Sequence, residues 1–424
     1  MFTPDAASVL SGPDWLRARR AAAAERFAAL SLPTESEEIW RYSRIAGLDL
    51  DRFSPAADDD GGGLPTAVQA VVDAVQPCAG LLVVRNGRVV RSEVDPAQQA
   101  KGLYLGDVAG LPDGDDVLGG VALASTDAFT ELNSAFLPGA AVVRVPAGMT
   151  VEHPVLIVHW LDGEDIAAFP RTIVQAGRDS EVSVVEHQAS SDTRLFVDPV
   201  VELDVGDASR VRYTNVQDLG PRVWQTGYQA SQVGRDATLR SAVVALGGDY
   251  ARVRTDSRVG GKGGSSYLTA VYFADGERMH DFRTLQDHAG PSSTSDLLFK
   301  GAVKDHGRSV YSGLIRVRKT APGTNAFQTN RNLVLSEGAS AESVPNLEIE
   351  TNDVRCSHAS AVGPIDEDQL YYLESRGIPP VVAKQLIVLG FFSEVLDRLP
   401  TAVLVRAIRA TVAARLAQDP LRPA

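Results

Sequence analysis

Across residues 139–354 hydrophobic and polar positions alternate in short runs rich in Val, Thr, Ser and Tyr, and glycine-containing turns break the runs at regular intervals. A period of two sends successive side chains to opposite faces, so each run predicts a strand with one buried face. Four of them, AGRDSEVSVVEH, VGDASRVRYTNV, VGRDATLRSAVV and VGGKGGSSYLTAVYF, begin their glycines at Gly177, Gly206, Gly234 and Gly260, at spacings of 29, 28 and 26 residues. Repetition at that period, with no helical segment long enough to cross between strands, predicts a solenoid of stacked β coils. The fixed leucines of leucine-rich repeats and the six-residue apolar repeat of hexapeptide coils are both missing. The predicted fold class is mainly β, a right-handed parallel β-helix over residues 139–358 flanked by N-terminal and C-terminal helical regions.

The flanks carry helical and turn signals. In the N-terminal region, residues 1–53, an Ala- and Arg-rich stretch over 14–30 and an acidic second start at Thr34-Glu35-Ser36-Glu37 predict helix through residue 46, with Trp15, Phe27, Ile39, Trp40 and Tyr42 as its apolar contacts. Residues 54–65, SPAADDDGGGLP, read as a linker. A mixed α/β lead-in over 66–138 contains a hairpin at 81–90 about Asn86-Gly87, a strong two-residue turn signal, and a helix at 126–136. In the C-terminal domain, residues 359–424, Asp366 is a good N-cap and Gly377 a good C′ residue; Pro379-Pro380 restarts the chain into a helix over 381–398, and Pro400 separates it from a last helix over 401–418. Such a tail serves either as a cap on the last coil or as a docking surface.

Composition narrows the function. A net charge of −13 argues against a nucleic-acid partner, which needs clustered Lys and Arg. No apolar run approaches the ~20 residues of a membrane span, and MFTPDAASVL lacks the basic region and apolar core of a secretory signal. Two cysteines, Cys78 and Cys356, allow no disulfide framework, so a cytoplasmic location is expected. Cys78 has no histidine near it and reads as structural. GGKGG at 260–264 lacks Walker spacing and reads as a repeat turn, so no ATPase motif is present and no enzyme is expected. His280-Asp281, Asp287-His288 and Asp305-His306 read as hydrogen-bonded surface pairs rather than general bases.

The chemistry concentrates in residues 343–400. Read as one strand through NLEIETNDVRCSHAS, Leu347 and Ile349 point one way, while Glu348, Glu350, Cys356 and His358 share the other parity, provided the register survives Asn352-Asp353, a pair that favours a turn or bulge. Cys356 and His358 would then stand side by side. A thiol beside an imidazole is a soft-metal or sulfur-chemistry pair, and the histidine can lower the thiol pKa. Two ligands do not hold a metal, so the others must come from elsewhere in the fold or from a partner. The same cysteine, taken alone, would serve as a small buried hydrophobe.

NLEIETNDVRCSHAS, followed by VGPIDEDQLYYLESRGIP and LIVLGFFSEVL, resembles the C-terminal signature of the SufD family of iron-sulfur cluster assembly scaffolds, and LPTESEEIWRYSRI at 32–45 resembles that family's N-terminal segment. The resemblance implies a β-helix that pairs through its edge, expected along 310–354, with the β-helix of SufB, a C-terminal helical domain docking the SufC ATPase at about 364–400, and a transient iron-sulfur cluster shared with SufB at Cys356 and His358, with iron the metal. Whether the chain alone forms a homodimer is left open by the sequence. SufB-type paralogues carry additional cysteines, which favours SufD over SufB here. A flavin accompanies some complexes of this family, and nothing in the sequence marks a flavin site. A competing reading is a β-helix enzyme acting on acidic polysaccharide through clustered Asp and His.

Overall fold

The computed structural model describes residues 1–57, 63–122, 127–399 and 402–417. Its centre is a β-solenoid of about eight turns with helices at both ends, as the repeat spacing predicts. Two walls face each other across a lumen, one a 12-stranded and the other a 10-stranded sheet. Each coil gives one strand to each wall: Met279–His288 and Thr294–Val303, then Arg308–Val317 and Thr324–Val334, then Ser340–Ile349 and Val354–Gly363. Neighbouring coils pair in parallel without slips, so each inward side chain sits over its counterpart in the coil before.

The repeating glycines are explained by crowding at one corner. The Gly206 amide donates to the Ala176 carbonyl at 3.0 Å and that of Gly234 to Val205 at 2.8 Å. A Cβ on Gly206 would lie 2.6 Å from the Ala176 oxygen, and one on Gly234 would lie 2.9 Å from the Asp207 nitrogen. In the fourth coil the crowded residue is Gly261, whose Cβ would meet the Arg235 nitrogen at 2.1 Å. Two residues beyond the first three glycines, Asp179, Ala208 and Asp236 all adopt positive φ, which repeats one corner geometry from coil to coil. GGKGG is therefore a turn of the solenoid. The Asn86-Gly87 hairpin also forms, joining Gly80–Arg85 to Arg88–Val94 with positive φ at both turn residues.

The N-terminal segment departs from the helical prediction. A helix covers Asp14–Ala28, but residues 29–46 hold only 3₁₀ turns at Glu38–Trp40 and at Ile45–Gly47. Tertiary partners hold this segment instead: Arg252 donates to the Ile39 carbonyl at 2.7 Å and Arg283 to the Arg41 carbonyl at 2.6 Å. Both arginines pair with the buried Asp281, at 2.7 Å each, and Arg252 lies 3.7 Å over the Trp40 ring. Trp40 is buried and Trp15 and Phe27 are half-buried against the same cluster, whereas Ile39 and Tyr42 face solvent. The predicted linker and the start of the helix predicted at 126 fall partly outside the described residues; the helix itself is Ala128–Phe136, with Asp127 as its N-cap.

His280 and His288 correct the expectation of surface pairs, because both are fully buried in the lumen on the parity of Phe282. His288 bonds Ser293 at 2.8 Å through Nδ1 and Ser295 at 2.9 Å through Nε2, and His280 Nε2 lies 3.1 Å from the Gly247 carbonyl. Burial pushes both imidazoles down to about 4. His306 alone of the three is exposed.

The C-terminal helices do not cap the last coil. Pro380–Leu396 and Ala402–Ala417 lie along the outer face of the 10-stranded sheet, where Val388, Phe392, Val395, Ile408 and Val412 pack on Val271, Phe273 and Leu298. That face is apolar on strands whose other face fills the lumen, so both faces are covered.

Gly261→Ala should lower stability by about 1–3 kcal/mol, since overpacking against backbone cannot relax by a rotamer change. Gly363→Ala, with nothing within 4 Å and no positive φ, should be neutral in the same denaturant titration. A histidine free in the unfolded chain titrates near about 6.5, so between about 4 and 6.5 the unfolded state binds more protons and stability falls as pH falls through that window. Each buried histidine should contribute roughly 3 kcal/mol to that loss. His288→Gln should flatten the dependence of the urea midpoint on pH between about 4 and 6.5; an unchanged slope would refute the assignment.

Candidate functional site

Cys356 and His358 lie on Val354–Gly363, the last strand of the 10-stranded sheet. The single strand read through 347–358 does not exist: the chain leaves Ser340–Ile349 in the 12-stranded sheet, turns a corner at 350–353 and enters the opposite wall. Asn352-Asp353 is that corner. Leu347 and Cys356, assigned opposite parity, consequently meet in the lumen with Ile315, Ala326 and Val354. Within Val354–Gly363 the register against Thr324–Val334 is unbroken, with Cys356 opposite Ala326 and His358 opposite Gln328. The Ser360 hydroxyl donates to Ser343 on the facing wall at 2.7 Å, which marks 356, 358 and 360 as inward positions. Cys356 and His358 therefore do share a face.

Their burial differs. Cys356 is half-buried against the apolar end of the lumen, while His358 is exposed because no further coil covers it. Burial pushes the Cys356 thiol above its ordinary value, opposed only by a hydrogen bond with the Ala326 backbone. The direction is opposite to the lowering expected from the histidine, which is not among the causes of the shift. Arg355 points outward and is exposed, in agreement with its parity. Among the described residues no group of three or more His, Cys, Asp or Glu side chains is arranged to hold a metal ion. Cys78 is half-buried and accepts from Gln76 at 3.4 Å, far along the chain from the pair.

Two features of the site's surroundings bear on assembly. Among the described residues Ser340–Ile349 and Val354–Gly363 each pair with one sheet neighbour, so one edge of backbone N–H and C=O groups on each wall is free of them. Arg308–Val317, by contrast, is paired on both sides. The second feature is a helical surface. Glu367–Ser375, capped by Asp366 and ended by Gly377 at φ 81°, buries none of its residues, and Tyr371 and Tyr372 are 73% and 57% exposed. Val381, Val382 and Leu386 at the start of the next helix are also exposed. Lys300 holds that helix to the sheet from below, pairing with Glu394 at 2.7 Å and donating to the Phe391 carbonyl at 3.0 Å. Sequence reading missed Lys300, whose partners lie about ninety residues away.

No helix among the described residues is long and apolar enough to cross a membrane. Residues 159–391 match the family described as SUF system FeS cluster assembly, SufBD core domain. An iron-sulfur cluster assembly SufBD family protein of Mycobacterium tuberculosis is 34% identical over 383 residues, covering 88% of this chain and 86% of that one. The iron-sulfur cluster assembly protein SufD of Escherichia coli is 28% identical over 393 residues, covering 91% and 89%, and that of Bacillus subtilis is 28% identical over 403, covering 92% and 91%. With the solenoid, its open terminal coil and the Cys356–His358 strand inside or beside the matched span, the chain belongs to the SufBD family of iron-sulfur cluster assembly proteins.

Proposed function

We propose that this chain is a non-catalytic, cytosolic scaffold subunit of a SUF assembly complex, which pairs through its terminal coil with a SufB-type solenoid and docks a SufC-type ATPase on its C-terminal helices. The observation that carries the reading is the placement of Cys356 and His358 on the one coil that has no successor. A second solenoid added to the free edges would extend both walls by strand addition and would bring its own side chains over the pair. Cys356 and His358 supply two soft ligands of a set that a partner completes, and the nascent cluster is cargo shared across the interface. The free edge lies on Ser340–Ile349 and Val354–Gly363, so pairing is expected there and not on Arg308–Val317.

Cys356→Ser and His358→Ala should each leave the three-component complex intact on size exclusion and lower its iron and acid-labile sulfide after anaerobic purification. Full occupancy in both variants would show the pair to be structural, and loss of the complex would make them interface residues.

The ATPase surface is best tested without removing the tail, whose loss would strip the apolar outer face of the sheet. Leu386→Glu combined with Tyr371→Ser changes only exposed positions and should leave thermal stability within about 0.5 kcal/mol of the parent. Binding of the ATPase in a pull-down should be lost; retention would move the docking surface elsewhere.

A further inference from the structure

Gln328 is the residue that the site leaves unexplained. It sits on Thr324–Val334, directly beside His358 in the adjacent strand, and it is 1% exposed. Its neighbours Phe327 and Thr329 face outward, so its side chain enters the lumen. There it crosses to the opposite wall, where a Cβ on Gly313 would lie 2.7 Å from Nε2 of Gln328. Neither atom of the amide has a hydrogen-bond partner among the described residues. A buried amide left unpaired costs about 1–3 kcal/mol, whereas an apolar side chain of the same volume at that position would be neutral or stabilising. The coil otherwise satisfies its polar groups: Asn330 bonds the Tyr272 hydroxyl at 2.9 Å, and Asn332 bonds Asn330 at 2.8 Å. Among the described residues a second amide left wholly unpaired, Gln286, lies one coil deeper on the opposite wall.

Parallel neighbours stand about 4.8 Å apart, which puts the Gln328 amide within reach of the His358 ring once the ring turns into the lumen. An imidazole that ligates a metal through one nitrogen carries N–H on the other, and that N–H needs an acceptor to fix tautomer and ring orientation. No His, Asp or Glu side chain competes for the role from the facing positions of this coil: the inward positions opposite are Ser343, Pro345 and Leu347 on the last strand and Tyr311, Gly313 and Ile315 on the one beneath.

We propose that Gln328 is a positioning residue of the Cys356–His358 site, its amide oxygen accepting the N–H of a His358 ring whose other nitrogen ligates at the open end. This rests on the cluster-assembly reading above. Gly313 belongs to the same arrangement, because a Cβ there would meet the Tyr311 hydroxyl at 2.1 Å and Nε2 of Gln328 at 2.7 Å, so a side chain would disturb both.

The test uses the complete three-component complex, purified anaerobically with its cluster, and reads the rate at which a ferrous chelator removes iron. Gln328→Leu, of similar volume, should assemble and melt at or above the parent temperature, yet lose iron roughly tenfold faster, the usual scale for an outer-shell partner of a ligating histidine. Gln328→Glu retains an acceptor and should restore most of the chelator resistance, although a purely structural role would make it the worse substitution. A Gln328→Leu complex with unchanged iron release overturns the proposal, as does a Gln328→Glu complex no better than Gln328→Leu. His358→Ala run in parallel separates the two levels. Full, chelator-resistant occupancy in His358→Ala refutes the cluster-assembly reading, and with it this role; loss there with an unchanged Gln328→Leu refutes the role of Gln328 alone.

Discussion

Everything in this molecule depends on coils stacking at the spacing of a parallel β ladder. At about 4.8 Å per coil a corner residue rests on the backbone of the corner below, and only glycine fits where the Cβ would meet a carbonyl oxygen or an amide nitrogen. The same spacing sets the lumen, because each inward side chain must be compatible with the one beneath it. It also defines the end. A coil with no successor has one unpaired edge on each wall and nothing stacked over its lumen, which is why the inward face of Val354–Gly363 is largely exposed while that of Thr324–Val334 is buried. The chemistry of Cys356 and His358 is thus a property of position in the stack as much as of residue type.

The features that could be read from sequence are those whose cause is local. Corner glycines repeat because each corner makes the same steric demand, and Asn86-Gly87 or Asp366 and Gly377 act through their own backbone. What could not be read is held by distant partners. Residues 38–41 look like helix, yet their carbonyls accept from Arg252 and Arg283, more than two hundred positions later. The corner at 350–353 shows the boundary between the two cases. Asn352-Asp353 signals a turn, but only the stack dictates that the chain then enters the opposite wall, and so brings Leu347 and Cys356 together. The burial of His280 and His288 is legible locally, in the parity they share with Phe282.

Buried charge follows the same logic of long-range support. Asp281 is wholly buried, and its two arginines hold its carboxyl below the ordinary range against the opposing effect of burial. Removing one partner of such a set is strongly destabilising, whereas the intact set contributes little net stability. Its value here is geometric: both arginines use their remaining N–H groups to fix the backbone at Ile39 and Arg41, so one buried carboxylate ties the N-terminal segment to the middle of the solenoid.

The thiol of Cys356 gives the last step. Raised by burial, it is a poor free nucleophile and a poor unassisted ligand, and its neighbouring imidazole lies exposed at the uncovered end of the lumen. A site built for chemistry within one chain would surround such a sulfur with cations or with further ligands, and neither arrangement is present among the described residues. A site built for an interface needs the opposite: a sulfur kept protonated and inert while the coil is open, and deprotonated when a metal arrives with the remaining ligands. On the proposed reading, the same unpaired edge that exposes the pair is what recruits the partner, so assembly and activation of the thiol are one event.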